Sequence, residues 1–130
     1  MRDVSVASDG TKFGQDITIG GHVLKADEAA DKGGGDAGPG PHEMLLGALG
    51  ACTSMTMRGY AERKGWALRR VHVALTGGPV DGKYAITRQI TMEGDLDAEQ
   101  RQRLLEIADK CPVHRTLTGE VTVQTTEAQP

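Results

Sequence analysis

Between Glu43 and Arg58 the chain carries no charged residue, and the run Met44-Leu-Leu-Gly-Ala-Leu-Gly-Ala-Cys-Thr-Ser-Met-Thr-Met57 is apolar or small on every face of a helix. Such a helix has to be covered, so the rest of the chain must be arranged around it. Pro41 suits a first helical turn, Glu43 complements the positive end of the helix dipole, and Gly65 follows Lys64. This predicts a helix over 41–64, buried all round along its front part. Gly47 and Gly50 each disfavour that helix by about 1 kcal/mol relative to Ala, and a closely packed partner helix is the expected reason.

The remaining segments predict short elements on either side. Residues 3–7, 16–19 and 22–26 are β-prone runs, with Gly20-Gly21 as a tight turn, and read as an N-terminal meander. Asp31 to Pro41 holds so many glycines and prolines that a flexible loop is expected. Residues 71–76 and 84–92 read as a second strand pair joined by the longer loop Gly-Gly-Pro-Val-Asp-Gly. Asp97-Ala-Glu-Gln100 has a capping-box pattern ahead of an apolar stripe, predicting a helix over 98–110. Pro112 breaks it and starts a short turn through Leu117, and 121–125 reads as a last strand. The order of elements is an α+β plan in a single domain, 1–130.

Composition narrows the function. A formal net charge of −3 offers no basic surface for phosphates, so nucleic acid is not an expected partner. The N-terminus has no apolar signal segment and the uncharged helical stretch is too short to span a bilayer, so the expectation is a cytoplasmic protein with no membrane association. With one Trp, two Tyr and one Phe the core relies on aliphatic residues, and burial against a second copy is the expected way to gain stability, as a homodimer. Cys52 and Cys111 are the only cysteines. In a reducing compartment, such a pair points to catalysis, redox cycling or metal before a structural staple.

Gly38-Pro-Gly-Pro-His-Glu-Met-Leu-Leu-Gly-Ala-Leu-Gly-Ala-Cys-Thr-Ser-Met-Thr56, together with Ala108-Asp-Lys-Cys-Pro-Val-His114, strongly resembles the OsmC/Ohr family. The resemblance implies antiparallel sheets around a buried central helix in an intertwined homodimer. It also implies a stress-response, antioxidant activity in which an organic hydroperoxide is reduced to an alcohol by two thiols. Cys52 would attack, Cys111 would resolve, and a dithiol would return the electrons. In well-studied members a glutamate ten residues before the attacking cysteine and an arginine from the N-terminal region hold the thiolate. Here His42 occupies that slot, Glu43 lies nine residues before Cys52, and no arginine occurs between Arg2 and Arg58. Lys12, Lys25 and Lys32 are then the candidate cations, and a lysine offers a point charge where arginine offers a planar fork.

The residues also admit plainer readings. Two cysteines are often no more than small buried hydrophobes. Glu43, about 13.5 Å from Cys52 along the helix and on its opposite side, can act on the site only through a cation or across a dimer, and it is equally well read as a first-turn dipole partner. Local sequence favours Cys111 as the more readily ionised thiol, since it precedes Pro112 at the start of a turn with His114 and Arg115 close by, whereas the resemblance makes Cys52 the attacker. A zinc site from Cys52, Cys111, His114 and His42 or His22 lacks paired ligand spacing, and Gly33-Gly34-Gly35 lacks the lysine of a phosphate loop, so neither a metal nor a cofactor is expected. Met44, Met55 and Met57 read as core filler. The competing function is a non-catalytic protein that binds an apolar ligand and senses oxidation through the same thiols.

Overall fold

The computed structural model describes residues 1–129, which fall into two compact units, Met1–Gly47 and a second that begins at Ala48. In the first unit β1 (Val4–Ser8), β2 (Gln15–Ile19) and β3 (His22–Ala26) form an antiparallel meander in that order. Ile19 pairs with His22 across Gly20-Gly21, where the two-glycine turn was expected. The β1–β2 corner is closed by Asp9, whose Oδ1 accepts the Thr11 N–H at 2.9 Å. Lys25 Nζ then joins Asp9 Oδ2 at 2.7 Å to Asp16 Oδ1 at 2.8 Å. The Lys25 ammonium, followed by the Thr11 hydroxyl and amide, holds the Asp9 carboxyl well below the usual carboxylate range.

The glycine-rich segment after β3 is not the free loop its composition predicts. It opens with one turn of 3-10 helix, Ala30–Lys32, and is gathered on the buried carboxylate of Asp27. Asp27 Oδ1 accepts the Glu28 N–H at 2.7 Å, Oδ2 accepts the Ala37 N–H at 3.2 Å, and the Asp27 N–H donates to Pro39 O at 3.1 Å. A Cβ on Gly34 would lie 2.0 Å from Glu28 O, so glycine is used there for close backbone approach rather than for freedom.

Helix α1 (Pro41–Lys64) begins at the end of the first unit and supplies the second with most of its length. There it is followed by the hairpin β4 (Ala67–Val80) and β5 (Lys83–Asp95), by α2 (Ala98–Ala108) and by α3 (Pro112–Thr118). The hairpin corrects the expected long loop. Gly77, Gly78, Pro79 and Val80 are paired strand residues, and Val80 meets Lys83 across Asp81-Gly82 alone. Both turn residues have positive φ, 50° and 78°, the requirement of a type I′ turn whose twist matches the strands it joins. The α2 capping box forms as its pattern predicts, with Asp97 Oδ1 accepting the Gln100 N–H at 2.8 Å and Gln100 Oε1 accepting the Asp97 N–H at 3.0 Å.

The core of this unit joins Met57 and Ala61 of α1 to Leu68 of β4 and to Leu104 and Ala108 of α2, with Trp66, Ile90 and Met92 packed against it. On α1 the buried residues Leu49, Gly50, Thr53, Met57 and Ala61 recur every three or four positions and form one face. The opposite face, with Ala48, Ala51 and Met55, is exposed, Met55 to 72%. The front of α1 is therefore not buried all round within one chain. Gly50 admits a strand rather than a helix, since a Cβ there would lie 2.8 Å from Leu75 Cδ1 of β4, and Gly47 has nothing within 4 Å. The strand expected over 121–125 does not form. Residues 120–129 have no regular structure, and Val123 is 82% exposed, because a β-prone run makes no ladder without a strand edge beside it.

Candidate thiol site

Four elements of the second unit converge on the two cysteines. α1 contributes Cys52 and Thr53, β5 contributes Arg88, the turn after α2 contributes Asp109 and Cys111, and α3 contributes His114. Both cysteines are free thiols, with Cys52 half-buried and Cys111 fully buried. Cys111 is the N-cap residue of α3. Pro112 follows it and has no N–H, so the first free amides of the helix are those of Val113 and His114. Each goes to a different sulfur. The Val113 N–H donates to Cys52 Sγ at 3.5 Å and the His114 N–H donates to Cys111 Sγ at 3.3 Å. One turn of backbone thus holds two sulfurs that are far apart in sequence.

Around Cys111 the polar contacts extend further. The Thr53 hydroxyl, fully buried, donates its proton to Leu49 O at 2.7 Å, and its oxygen accepts from Arg88 Nη1 at 2.9 Å. Cys111 Sγ lies 3.9 Å from the same oxygen. With the hydroxyl proton engaged by Leu49, the thiol proton is the one available for that contact. Arg88 Nη2 donates to Asp109 Oδ1 at 2.7 Å and lies 3.1 Å from His114 Nδ1. A guanidinium has donors only, so in this contact His114 Nδ1 is the acceptor. The Arg88 side chain is 11% exposed and Asp109 is 67% exposed, so that ion pair is open to solvent on its acidic side only.

The expected site residues separate here. Cys52 and Cys111 meet on α3. Glu43 is exposed, and its Oε1 accepts the Gly40 N–H at 2.8 Å, which caps the start of α1. Of the lysines considered as cations, Lys25 is engaged by Asp9 and Asp16, and Lys12 Nζ sits 4.9 Å from the Phe13 ring centre. Sequence reasoning missed Arg88 and Thr53. Both carried a signal. Along β5 the inward positions are Ile86, Arg88, Ile90 and Met92, so Arg88 stands in the apolar phase of an alternating strand. Thr53 interrupts the apolar stripe of α1 in the same way.

A cavity of about 310 Å³ adjoins the cluster, with Leu49, Ile86, Tyr84 and Leu117 as mostly apolar walls and Arg88 and His114 at its polar end. A larger one of about 640 Å³ lies between Tyr60, Trp66 and Arg103. Neither cysteine lines either cavity. Among the described residues no three His, Cys, Asp or Glu side chains converge as a metal-binding group, and no helix is long and apolar enough to cross a membrane.

The fold matches one class of protein. Residues 33–126 match the family model described as OsmC-like protein, and the chain belongs to that family. Among solved structures, an OsmC-like protein from Mycoplasma pneumoniae is 20% identical over 92% of this chain and 88% of its own, with a TM-score of 0.77. An organic hydroperoxide resistance protein OsmC from Legionella pneumophila is 20% identical over 92% and 90%, with a TM-score of 0.66. The organic hydroperoxide resistance protein OhrB of Bacillus subtilis is 21% identical over 90% and 91%, with a TM-score of 0.61. At these identities the likeness is one of fold. A comparison with curated proteins returns no match.

Proposed function

We propose that this chain reduces organic hydroperoxides with its two thiols, as a cytoplasmic homodimer with a stress-protective role. The observation that carries the reading is the donation of consecutive amides, Val113 and His114, to Cys52 Sγ and Cys111 Sγ. The Cys52 thiolate attacks the distal peroxide oxygen, which breaks the O–O bond, forms a sulfenic acid and releases an alkoxide that takes a proton to become the alcohol. Cys111 then attacks Cys52 Sγ, the S–S bond forms, and hydroxide leaves with the Cys111 proton as water. An external dithiol returns both sulfurs to thiols by exchange. The accessible sulfur suits the first step and the fully buried one the second, since a peroxide must reach the attacker. The half-apolar cavity beside Arg88 suits a substrate with a hydrocarbon body.

Glu43, whose Oε1 accepts the Gly40 N–H at the start of α1, serves this scheme by orienting a cation near the site, without touching sulfur itself. A second reading has one observation in its favour: neither cysteine lines the cavity, which suits a binding protein whose thiols only register oxidation. Stopped-flow mixing of reduced protein with cumene hydroperoxide separates the two. Rapid stoichiometric thiol loss, abolished in Cys52→Ser and limited to one turnover with a trapped sulfenic acid in Cys111→Ser, is the expected result. Thiol loss no faster than that of a free small thiol supports the binder.

A further inference from the structure

Resting on that thiol-pair reading, we infer that Arg88 is a positioning residue for the resolving step, acting on Cys111 through Thr53 and His114. The asymmetry between the sulfurs carries the argument. Among the described residues, the Val113 amide is the one hydrogen-bond donor to Cys52 Sγ, whereas Cys111 Sγ has the His114 amide and the Thr53 hydroxyl oxygen. One guanidinium touches the residues that carry both, donating through Nη1 to Thr53 Oγ1 itself and through Nη2 to the side-chain Nδ1 of His114. Burying an arginine is costly unless its donors are met, and Arg88 meets them with Asp109, Thr53 and His114, which come from three separate segments. The charged and titratable groups around Cys111 include Arg88 from β5, His114 and Arg115 from α3, Asp109 and Lys110 from the turn before it and Cys52 from α1.

In the thiol form, Cys111 points its proton at the Thr53 oxygen, whose own proton is fixed on Leu49 O. When Cys111 attacks the Cys52 sulfenic sulfur, its proton leaves with the departing hydroxide as water. The charge that develops on sulfur before bond formation is met directly by the His114 amide, and the Arg88 cation lies just beyond the Thr53 oxygen, around a sulfur that water does not reach. Because the guanidinium can only donate, it also holds His114 Nδ1 as an acceptor and the ring in one orientation, which steadies the turn that carries the Cys111-directed amide.

The test follows both half-reactions in the full-length reduced protein mixed with cumene hydroperoxide, sulfenic acid by trapping with dimedone and disulfide by acid quench and mass analysis. Arg88→Met is expected to slow disulfide formation on the order of tenfold more than it slows sulfenic-acid formation. Guanidinium ion added to that variant, entering through the adjoining cavity, is expected to restore part of the loss. Thr53→Val is expected to shift the same ratio in the same direction, and Thr53→Ser, which keeps the hydroxyl, to return it to the wild-type value. A wild-type ratio of the two rates in both Arg88→Met and Thr53→Val overturns the inference, as does a Thr53→Ser that behaves like Thr53→Val. If circular dichroism shows that Arg88→Met does not fold, the Thr53 pair decides. A wild-type protein that forms no sulfenic acid overturns the parent reading as well, and is recognised before any variant is made.

Discussion

Cys52 and Cys111 take consecutive amides of one turn of α3, Val113 on the first sulfur and His114 on the second. Arg88 lies on β5, far in sequence from the N-terminal region in which the family resemblance places a cation. Its place in the inward phase of β5 is the feature that marks it, because a charge among Ile86, Ile90 and Met92 has to be met by partners. Two other residues make firm predictions. Gly94, with φ at 156°, faces Ala67 so closely that a Cβ would lie 2.0 Å from the Ala67 carbonyl oxygen, at the register shift between Leu68 and Arg70. Gly94→Ala is expected to lower unfolding free energy in urea by about 2 kcal/mol or more, as clashes at special backbone positions do. Asp9 has its ionised form favoured in the folded state by Lys25 first and Thr11 next. A depressed folded value means that the stabilisation is full above the ordinary aspartate value of about 3.9 and is lost as pH falls through the lower folded one. NMR is expected to find Asp9 still ionised at about pH 3, and Lys25→Met to raise its value part of the way toward the ordinary carboxylate range, with the Thr11 bonds left in place.

Helices were easier to read than strand ends. The span of α1 follows from Pro41 and Gly65, and that of α2 from its capping box, because caps are local chemistry written in a few residues. Asp97→Ala is expected to cost about 1 kcal/mol by thermal or urea unfolding, while Glu99→Gln on the same first turn costs less. The hairpin was underestimated because Gly77-Gly78-Pro79 looks like a loop, while the deciding pair was Asp81-Gly82. Gly77 has its own reason to lack a side chain, since a Cβ there would lie 2.7 Å from the Tyr84 hydroxyl. The segment after β3 failed for a different cause. Its order comes from one buried aspartate, Asp27, and composition does not report which carboxylate will collect a loop's amides. The run at 121–125 alternates correctly, but a strand is defined by its neighbour, which lies outside any reading of the run itself.

For the molecule as a whole, the even spread of apolar residues around α1 pointed to complete coverage, and one chain covers one face. The proposed homodimer accounts for the other, where Ala48, Ala51 and Met55 stand exposed. Met55→Glu is expected to shift the sedimentation profile from dimer to monomer, and a wild-type monomer at micromolar concentration would remove the dimer from the proposal. The redox reading rests on the two sulfurs reacting as a pair within one chain. Reduced protein is treated with one equivalent of cumene hydroperoxide, quenched in acid, and its intact mass and unreduced peptides are measured. A chain two hydrogens lighter, with the Cys52 peptide joined to the Cys111 peptide of the same chain, is the result expected. Two unmodified thiols, or oxygen added to Cys52 with no link to Cys111, would contradict it.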